Sequence, residues 1–313
     1  METRRIGSLE VSAVGLGCNN FGGRLDEAGT ARVVDACLEH GITFFDTADI
    51  YGGTRSEEFL GNVLRGRRDR VVLATKFGAR VDDARQGARP EYVRQALDDS
   101  LRRLRTDRVD LYQLHKPDPS VPIADTLGAL DELVKAGKIR EIGASNFSVA
   151  QIEEAGAAVT PGGARFVSLQ NEYSLFHREP EQGVLAACEE RGIAFLPYFP
   201  LASGLLTGKY RKGQPLPENT RLSGGGYFEG WVTEERLDAV ERLTAFVEAR
   251  DRTLLELAFS WLLSRPVVAS VIAGATRPEQ VAANAAAAGW RLTPEELAEL
   301  DAIVPAPGAG RVG

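Results

Sequence analysis

A chain of 313 residues, 43% hydrophobic and 26% charged, has material for one large core and is not composed like a disordered segment. Its 37 basic and 44 acidic residues leave a formal net charge of −7. No long basic run stands out except the short Arg65-Gly66-Arg67-Arg68, so nucleic-acid binding has little electrostatic support. The start, Met1-Glu2-Thr3-Arg4-Arg5, leads into alternating sequence rather than an apolar leader. With no apolar run of about eighteen residues anywhere, a cytoplasmic protein that neither crosses nor binds a membrane is expected.

In chain order, Thr3 to Val11 reads as a hairpin turning at Gly7-Ser8. Short β-branched or aromatic runs then alternate with longer helical patterns: Ala13 to Gly17, Ile42 to Asp46, Val71 to Lys76, Asp110 to His115, Ile139 to Gly143, Phe166 to Gln170, Ile193 to Tyr198 and Ala269 to Ala273. That alternation predicts βαβ units and a parallel sheet. Eight parallel strands close naturally into an α/β TIM barrel, with residues 1–313 as one domain and the hairpin closing the bottom.

Between the strands, Asp26 is placed to cap a helix burying Val33, Val34, Cys37 and Leu38, ended by Gly41. Ser56 is expected to open the next, with Phe59, Leu60, Val63 and Leu64 facing inward. Pro90-Glu91 opens a third. Capping boxes are expected at Ser148 with Gln151, Thr253 with Glu256 and Thr293 with Glu296. A Gly/Pro-rich loop, Gly208 to Gly230, follows the seventh strand, and its position predicts that it lies over the active face.

Cys18, Cys37 and Cys188 are far apart and read as free thiols. The only histidines are His40, His115 and His177, too few and too scattered for a zinc site, so no metal is expected. Gly15-Leu16-Gly17 begins like a dinucleotide fingerprint, but Asn20 stands where the third glycine belongs.

Three residues at predicted strand ends carry chemistry: Asp46, Lys76 and His115. Tyr51 lies in the loop after the first of them. Alone, each has an ordinary reading as a turn cap, a solvated cation or a structural imidazole. Gathered on one barrel rim, they are equipment for protonating a carbonyl oxygen. An unperturbed phenol titrates near 10 and is a poor donor at neutrality. An ammonium within about 4–6 Å favours phenolate and is expected to bring the phenol down. A carboxylate keeps that ammonium charged, and histidine hydrogen-bonds a developing alkoxide.

The segments Phe45-Asp46-Thr47-Ala48-Asp49-Ile50-Tyr51-Gly52, Ala74-Thr75-Lys76-Phe77-Gly78 and Leu111-Tyr112-Gln113-Leu114-His115 resemble aldo-keto reductase motifs in order and spacing. So do Gly143-Ala144-Ser145-Asn146-Phe147, Leu169-Gln170-Asn171-Glu172-Tyr173 and Leu205-Leu206-Thr207-Gly208-Lys209-Tyr210. The resemblance implies that Tyr51 is the general acid, tuned by Lys76 and Asp46, and that His115 orients the carbonyl. It implies a nicotinamide nucleotide, NADPH with NADH as a second possibility, lying across the barrel mouth. Gly17, Asn19 and Asp46 would touch it; Ser145, Asn146 and Gln170 would hold the carboxamide, with the ring stacked on Tyr198. Leu201, Ser203, Leu205 and Lys209 match the pyrophosphate segment. Gly274, Thr276, Arg277, Gln280 and Asn284 match the adenosine site, where Thr276 and Arg277 would contact a 2′-phosphate. Some relatives carry a further Lys and Arg where this chain has Gly274 and Gln280, and a small residue where it has Phe199.

The implied activity is NADPH-dependent reduction of aldehyde, ketone or sugar carbonyls of small molecules. An NAD(P)-dependent sugar or alcohol dehydrogenase and a nucleotide-sensing regulatory subunit stand as alternatives. Phe21, Tyr51, Phe77, Phe199, Tyr227, Phe228 and Trp231 are candidates to line an apolar pocket and equally candidates for core packing. Substrate identity and oligomeric state do not follow from the sequence.

Overall fold

A computed structural model describes residues 1–218, 220, 222 and 230–307. The chain opens with an antiparallel hairpin, β1 (Thr3–Ile6) and β2 (Leu9–Ser12). Eight parallel strands follow: β3 (Val14–Gly17), β4 (Phe44–Asp46), β5 (Val72–Phe77), β6 (Val109–Leu114), β7 (Ile139–Ser145), β8 (Phe166–Glu172), β9 (Ala194–Tyr198) and β10 (Val271–Gly274). They pair in the order β10-β3-β4-β5-β6-β7-β8-β9. The seam between β9 and β10 closes just before β10 begins: Phe195 N–H donates to Val267 O at 2.7 Å and Ala269 N–H to Phe195 O at 3.0 Å. Ala269, expected inside the eighth strand, therefore belongs to the closing bridge. The fold is a (β/α)8 barrel, as the alternation predicted.

Side chains two apart on a strand share a face, and this places the chemistry. Phe44, Ala74 and Leu111 lie in the apolar cluster inside the barrel. Two residues further along the same strands come Asp46, Lys76 and Gln113, one layer nearer the mouth. Below, Ile6, Leu9 and Val11 of the hairpin join the same cluster, so the hairpin plugs the bottom. The larger cluster lies between barrel and helices. Gly143 of β7 allows a close approach inside the barrel: a Cβ on it would sit 2.1 Å from Ser168 Oγ and 3.2 Å from Gln113 Cγ.

The helix signals hold in most places. Asp26 caps α1 (Glu27–Glu39) by accepting from Gly29 N–H, and Gly41 follows with φ +73°. The third helix, α3 (Pro90–Leu104), starts at its proline, and all three capping boxes form, on α5 (Val149–Ala157), α8 (Leu254–Leu263) and α10 (Pro294–Ile303). The second helix departs from expectation. It begins at Arg55 rather than Ser56, as α2 (Arg55–Val63), and Thr54 enters it at φ +77° with no side-chain cap. Ser56 instead turns inward, its hydroxyl donating to Cys18 O at 3.0 Å and lying 2.8 Å from Thr47 Oγ1. Of the predicted face, Leu60 and Leu64 are buried and Val63 packs against the core, while Phe59 is half-buried and Ser56, Glu57 and Gly61 complete the buried side. Among the described residues, no helix is long and apolar enough to cross a membrane.

Candidate active site

At the mouth, a buried chain of charge links three of the four rim residues. Lys76, fully buried, donates from Nζ to Asp46 Oδ2 at 2.6 Å and to Thr47 O at 2.9 Å, and lies 3.5 Å from the Tyr51 hydroxyl. Asp46 Oδ1 accepts from Gln113 Nε2 at 3.0 Å and Gln170 Nε2 at 3.1 Å. The carboxylate is thus held by three side chains from three strands. Gln113 went unrecognised in the sequence, although its spacing two residues past Leu111 and two before His115 marks it as inward-facing.

His115 follows β6, pinned by its N–H to Phe77 O at 2.8 Å. Its ring meets Tyr51 edge to face, with centroids 6.0 Å apart. The four predicted catalytic side chains therefore converge.

Electrostatics give each a distinct state. Burial disfavours charge on Lys76, but the adjacent Asp46 carboxylate and Tyr51 hydroxyl together outweigh it and the net direction is upward, keeping the ammonium protonated. Burial pushes the His115 imidazole down to about 3, with Lys76 and Lys116 adding repulsion, so it is neutral at physiological pH. Burial also raises the Tyr51 phenol above 10, Lys76 pulling against it only in part. This reverses the lowering expected from the lysine alone, because desolvating a phenolate outweighs the nearby ammonium.

A cleft of about 920 Å3 opens above these groups. Ser145, Asn146, Gln170 and Tyr198 line one side of it. Asn146, at φ +62°, donates from Nδ2 to His115 O and Ser145 Oγ and accepts from Tyr198 Oη at 2.9 Å. Leu201, Ser203 and Lys209 line the next stretch, on a turn where Phe199, Ala202, Ser203 and Gly204 all take left-handed φ. Such backbone persists only where its surroundings over-determine it. The Ser203 hydroxyl is buried there without a hydrogen-bond partner among the described residues. At the far end come Gly17, Asn19, Gly274, Thr276, Arg277, Gln280 and Asn284. Gln280, at the start of α9 (Pro278–Ala286), accepts from both Thr276 N–H and Oγ1. Leu205 is the exception, since its side chain is fully buried in the core and does not line the cleft.

Of the aromatic candidates, Tyr51 and Phe199 line the cleft, and Trp231 packs edge to face on Phe199 with centroids 6.0 Å apart. Phe21 and Phe77 belong to the core, the packing alternative of the two expected for them. Tyr227 and Phe228 lie outside the described residues, as does most of the centre of the Gly208 to Gly230 loop. Among the described residues, no group of three or more His, Cys, Asp or Glu side chains could hold a metal ion.

One buried group was overlooked. Asp49, between Asp46 and Tyr51, is 3% exposed, and neither carboxyl oxygen has a hydrogen-bond partner among the described residues. Burial, then repulsion from Glu57, raises it to about 7. Glu57 itself is fully buried and already engaged by Arg103 at 2.7 Å and Thr75 at 2.5 Å.

Comparison with known proteins agrees with this geometry. Residues 13–305 match the model of the aldo/keto reductase family. The chain belongs to that family. Aldo-keto reductase YhdN of Bacillus subtilis is 35% identical over 95% of this chain and 91% of its own length. The probable aldo-keto reductase 1 of Glycine max is 33% identical over 95% of this chain and 86% of its own. Among solved structures, aldo-keto reductase AKR11C1 from Bacillus halodurans in its holo form superposes with a TM-score of 0.82 at 36% identity, covering 98% of this chain and 97% of that one. This aldo-keto reductase is accordingly an oxidoreductase of a family that uses nicotinamide cofactors for carbonyl chemistry.

Proposed function

We propose that the enzyme reduces aldehyde or ketone carbonyls with NADPH in the cytoplasm, Tyr51 supplying the proton. The observation that carries this reading is the Lys76 ammonium shared between Asp46 at 2.6 Å and the Tyr51 hydroxyl at 3.5 Å. The donor set of the cleft fits a nicotinamide nucleotide: the buried, unpartnered Ser203 hydroxyl on its left-handed turn and the Lys209 ammonium suit a diphosphate. Ser145, Asn146 and Gln170 supply side-chain amide and hydroxyl groups for a carboxamide. When bound, that cofactor supplies the hydride.

The chain's own residues manage the proton. Tyr51 holds it firmly until negative charge develops on the substrate oxygen, then passes it from Oη. Lys76 stabilises the phenolate left behind, and Asp46 holds the ammonium in place. Neutral His115 retains one N–H to donate to the same oxygen.

The pH dependence follows in sign. Reduction requires the protonated phenol, whose pKa lies above 10, so the reductive kcat is expected to stay level between about pH 6 and 9, while alcohol oxidation, which needs phenolate, climbs with pH. An acid limb from His115 is absent above pH 4, because the imidazole titrates at about 3. A steady-state profile in both directions checks this; reduction that falls steeply from pH 7 to 9 refutes the assignment. The same asymmetry favours reduction over the dehydrogenase reading at neutral pH.

The preference for NADPH rests on Arg277, which lines the adenosine end and, among the described residues, pairs only loosely, with Glu279 at 3.9 Å. A guanidinium suits a 2′-phosphate. Turnover of an aromatic aldehyde is expected to be at least about tenfold more efficient with NADPH than NADH, one exposed charge-assisted phosphate contact being worth about that factor. Arg277→Ala should erase the difference; efficiency higher with NADH would overturn the cofactor assignment.

A further inference from the structure

The chain carries a net charge of −7, yet among the described residues the cleft is lined by Arg24, Lys116, Lys209 and Arg277 against a single carboxylate, Asp46. Asp46 is already paired with Lys76. An acidic protein with a basic mouth focuses its field on anions there. Lys209 and Arg277 have duties toward the nucleotide in the reading above, but Arg24 and Lys116 have none.

Both are exposed at the rim, and neither side chain makes a hydrogen bond or ion pair among the described residues. Lys116 directly follows His115, and its charge reaches the imidazole, where it adds to the repulsion that keeps the ring neutral. Arg24 lies in the loop after β3, whose backbone is fixed by Arg24 N–H to Asn20 O at 2.9 Å. That loop packs against the one bearing Tyr51: a Cβ on Gly52 would meet Phe21 O at 2.3 Å. Two uncompensated cations thus stand on loops that flank the phenol.

We propose that the preferred carbonyl substrates bear an anionic group, carboxylate or phosphate, on a short chain beyond the carbonyl, and that Lys116 and Arg24 select for it. This rests on the carbonyl-reductase reading and names the substrate class for that site. The anion meets the cations at the rim while the carbonyl oxygen lies between Tyr51 and His115.

The test uses matched pairs with saturating NADPH: succinic semialdehyde against butanal for carboxylate, and glyceraldehyde 3-phosphate against glyceraldehyde for phosphate. At low salt, kcat/KM for the anionic member of at least one pair is expected to exceed its neutral partner by about tenfold, chiefly through KM. The pair showing it identifies the anion, and the advantage should shrink as ionic strength rises. Lys116→Met and Arg24→Met should each lower that ratio by about three- to fivefold through KM for the anionic substrate, with KM for NADPH little changed. Equal efficiency within both pairs overturns the proposal, as does an unchanged ratio in both variants or a loss confined to KM for NADPH. Reduction of neutral aldehydes in those cases leaves the parent reading standing, whereas no reduction of any pair with either nucleotide defeats both.

Discussion

Tyr51→Phe is expected to lower kcat for carbonyl reduction by about a thousandfold, the scale of a lost general acid, while leaving fold and nucleotide affinity intact. The substitution removes one hydroxyl. The ring that meets His115 edge to face remains, and the Lys76 ammonium keeps its shorter contacts to Asp46 Oδ2 and Thr47 O. The bond lost is the longest of the three, at 3.5 Å, so little stability goes with it. Stopped-flow and steady-state rates, with nucleotide binding followed by fluorescence, separate the outcomes. A variant within about tenfold of the parent enzyme would show that another group delivers the proton. Loss of nucleotide binding would show that the phenol serves the cleft rather than the chemistry.

The strands bearing this site were legible because each announces itself twice, by a β-branched or aromatic run and by the helix signal that follows. Phe44 and Asp46, or Ala74 and Lys76, are two apart, and period-two alternation alone puts them on one face. Capping boxes such as Thr253 with Glu256 were legible for a similar reason, the whole interaction lying within four residues. What escaped detection depends on distant partners. Ser56 has the composition of a cap, but the pull of Cys18 O and Thr47, each the residue just past β3 or β4, turns its hydroxyl inward. Gln113 looks like any polar residue until Asp46, 67 positions away, is brought to 3.0 Å. The direction of the Tyr51 shift was misjudged because the lysine was visible in the sequence and the desolvation of the phenol was not. Arg24 and Lys116 gain meaning only from which carboxylates the fold leaves out of their reach.

Asp49→Asn is expected to stabilise the protein at pH 8 by up to about 4 kcal/mol while changing it little at pH 4. The carboxyl is 3% exposed and its oxygens lack partners among the described residues. Glu57 faces it from α2, Arg103 and Tyr92 from α3, Lys76 from β5 and Tyr112 from β6. Arg103, the nearest compensating cation on α3, is spent on Glu57 at 2.7 Å. A rise from 3.8 to about 7 corresponds to about 4 kcal/mol of preference for the neutral form. The folded-state pKa lies above the unfolded one, so the folded protein binds the proton more tightly. Stability is fullest below about pH 4 and declines as pH climbs toward 7, where the buried carboxylate must finally ionise. Asparagine keeps the shape and never ionises, so the variant escapes that decline. Urea unfolding at the two pH values measures the difference directly. Equal effects at pH 4 and pH 8 would mean that Asp49 is charged throughout, with a compensating donor within reach of its carboxylate. Because Asp49 lies within the six-residue stretch from Asp46 to Tyr51, its ionisation also adds a negative charge within electrostatic reach of Lys76, the ammonium that serves the phenol. Asparagine at this position should therefore hold the reductive rate level through pH 8 at least as well as the native carboxyl does.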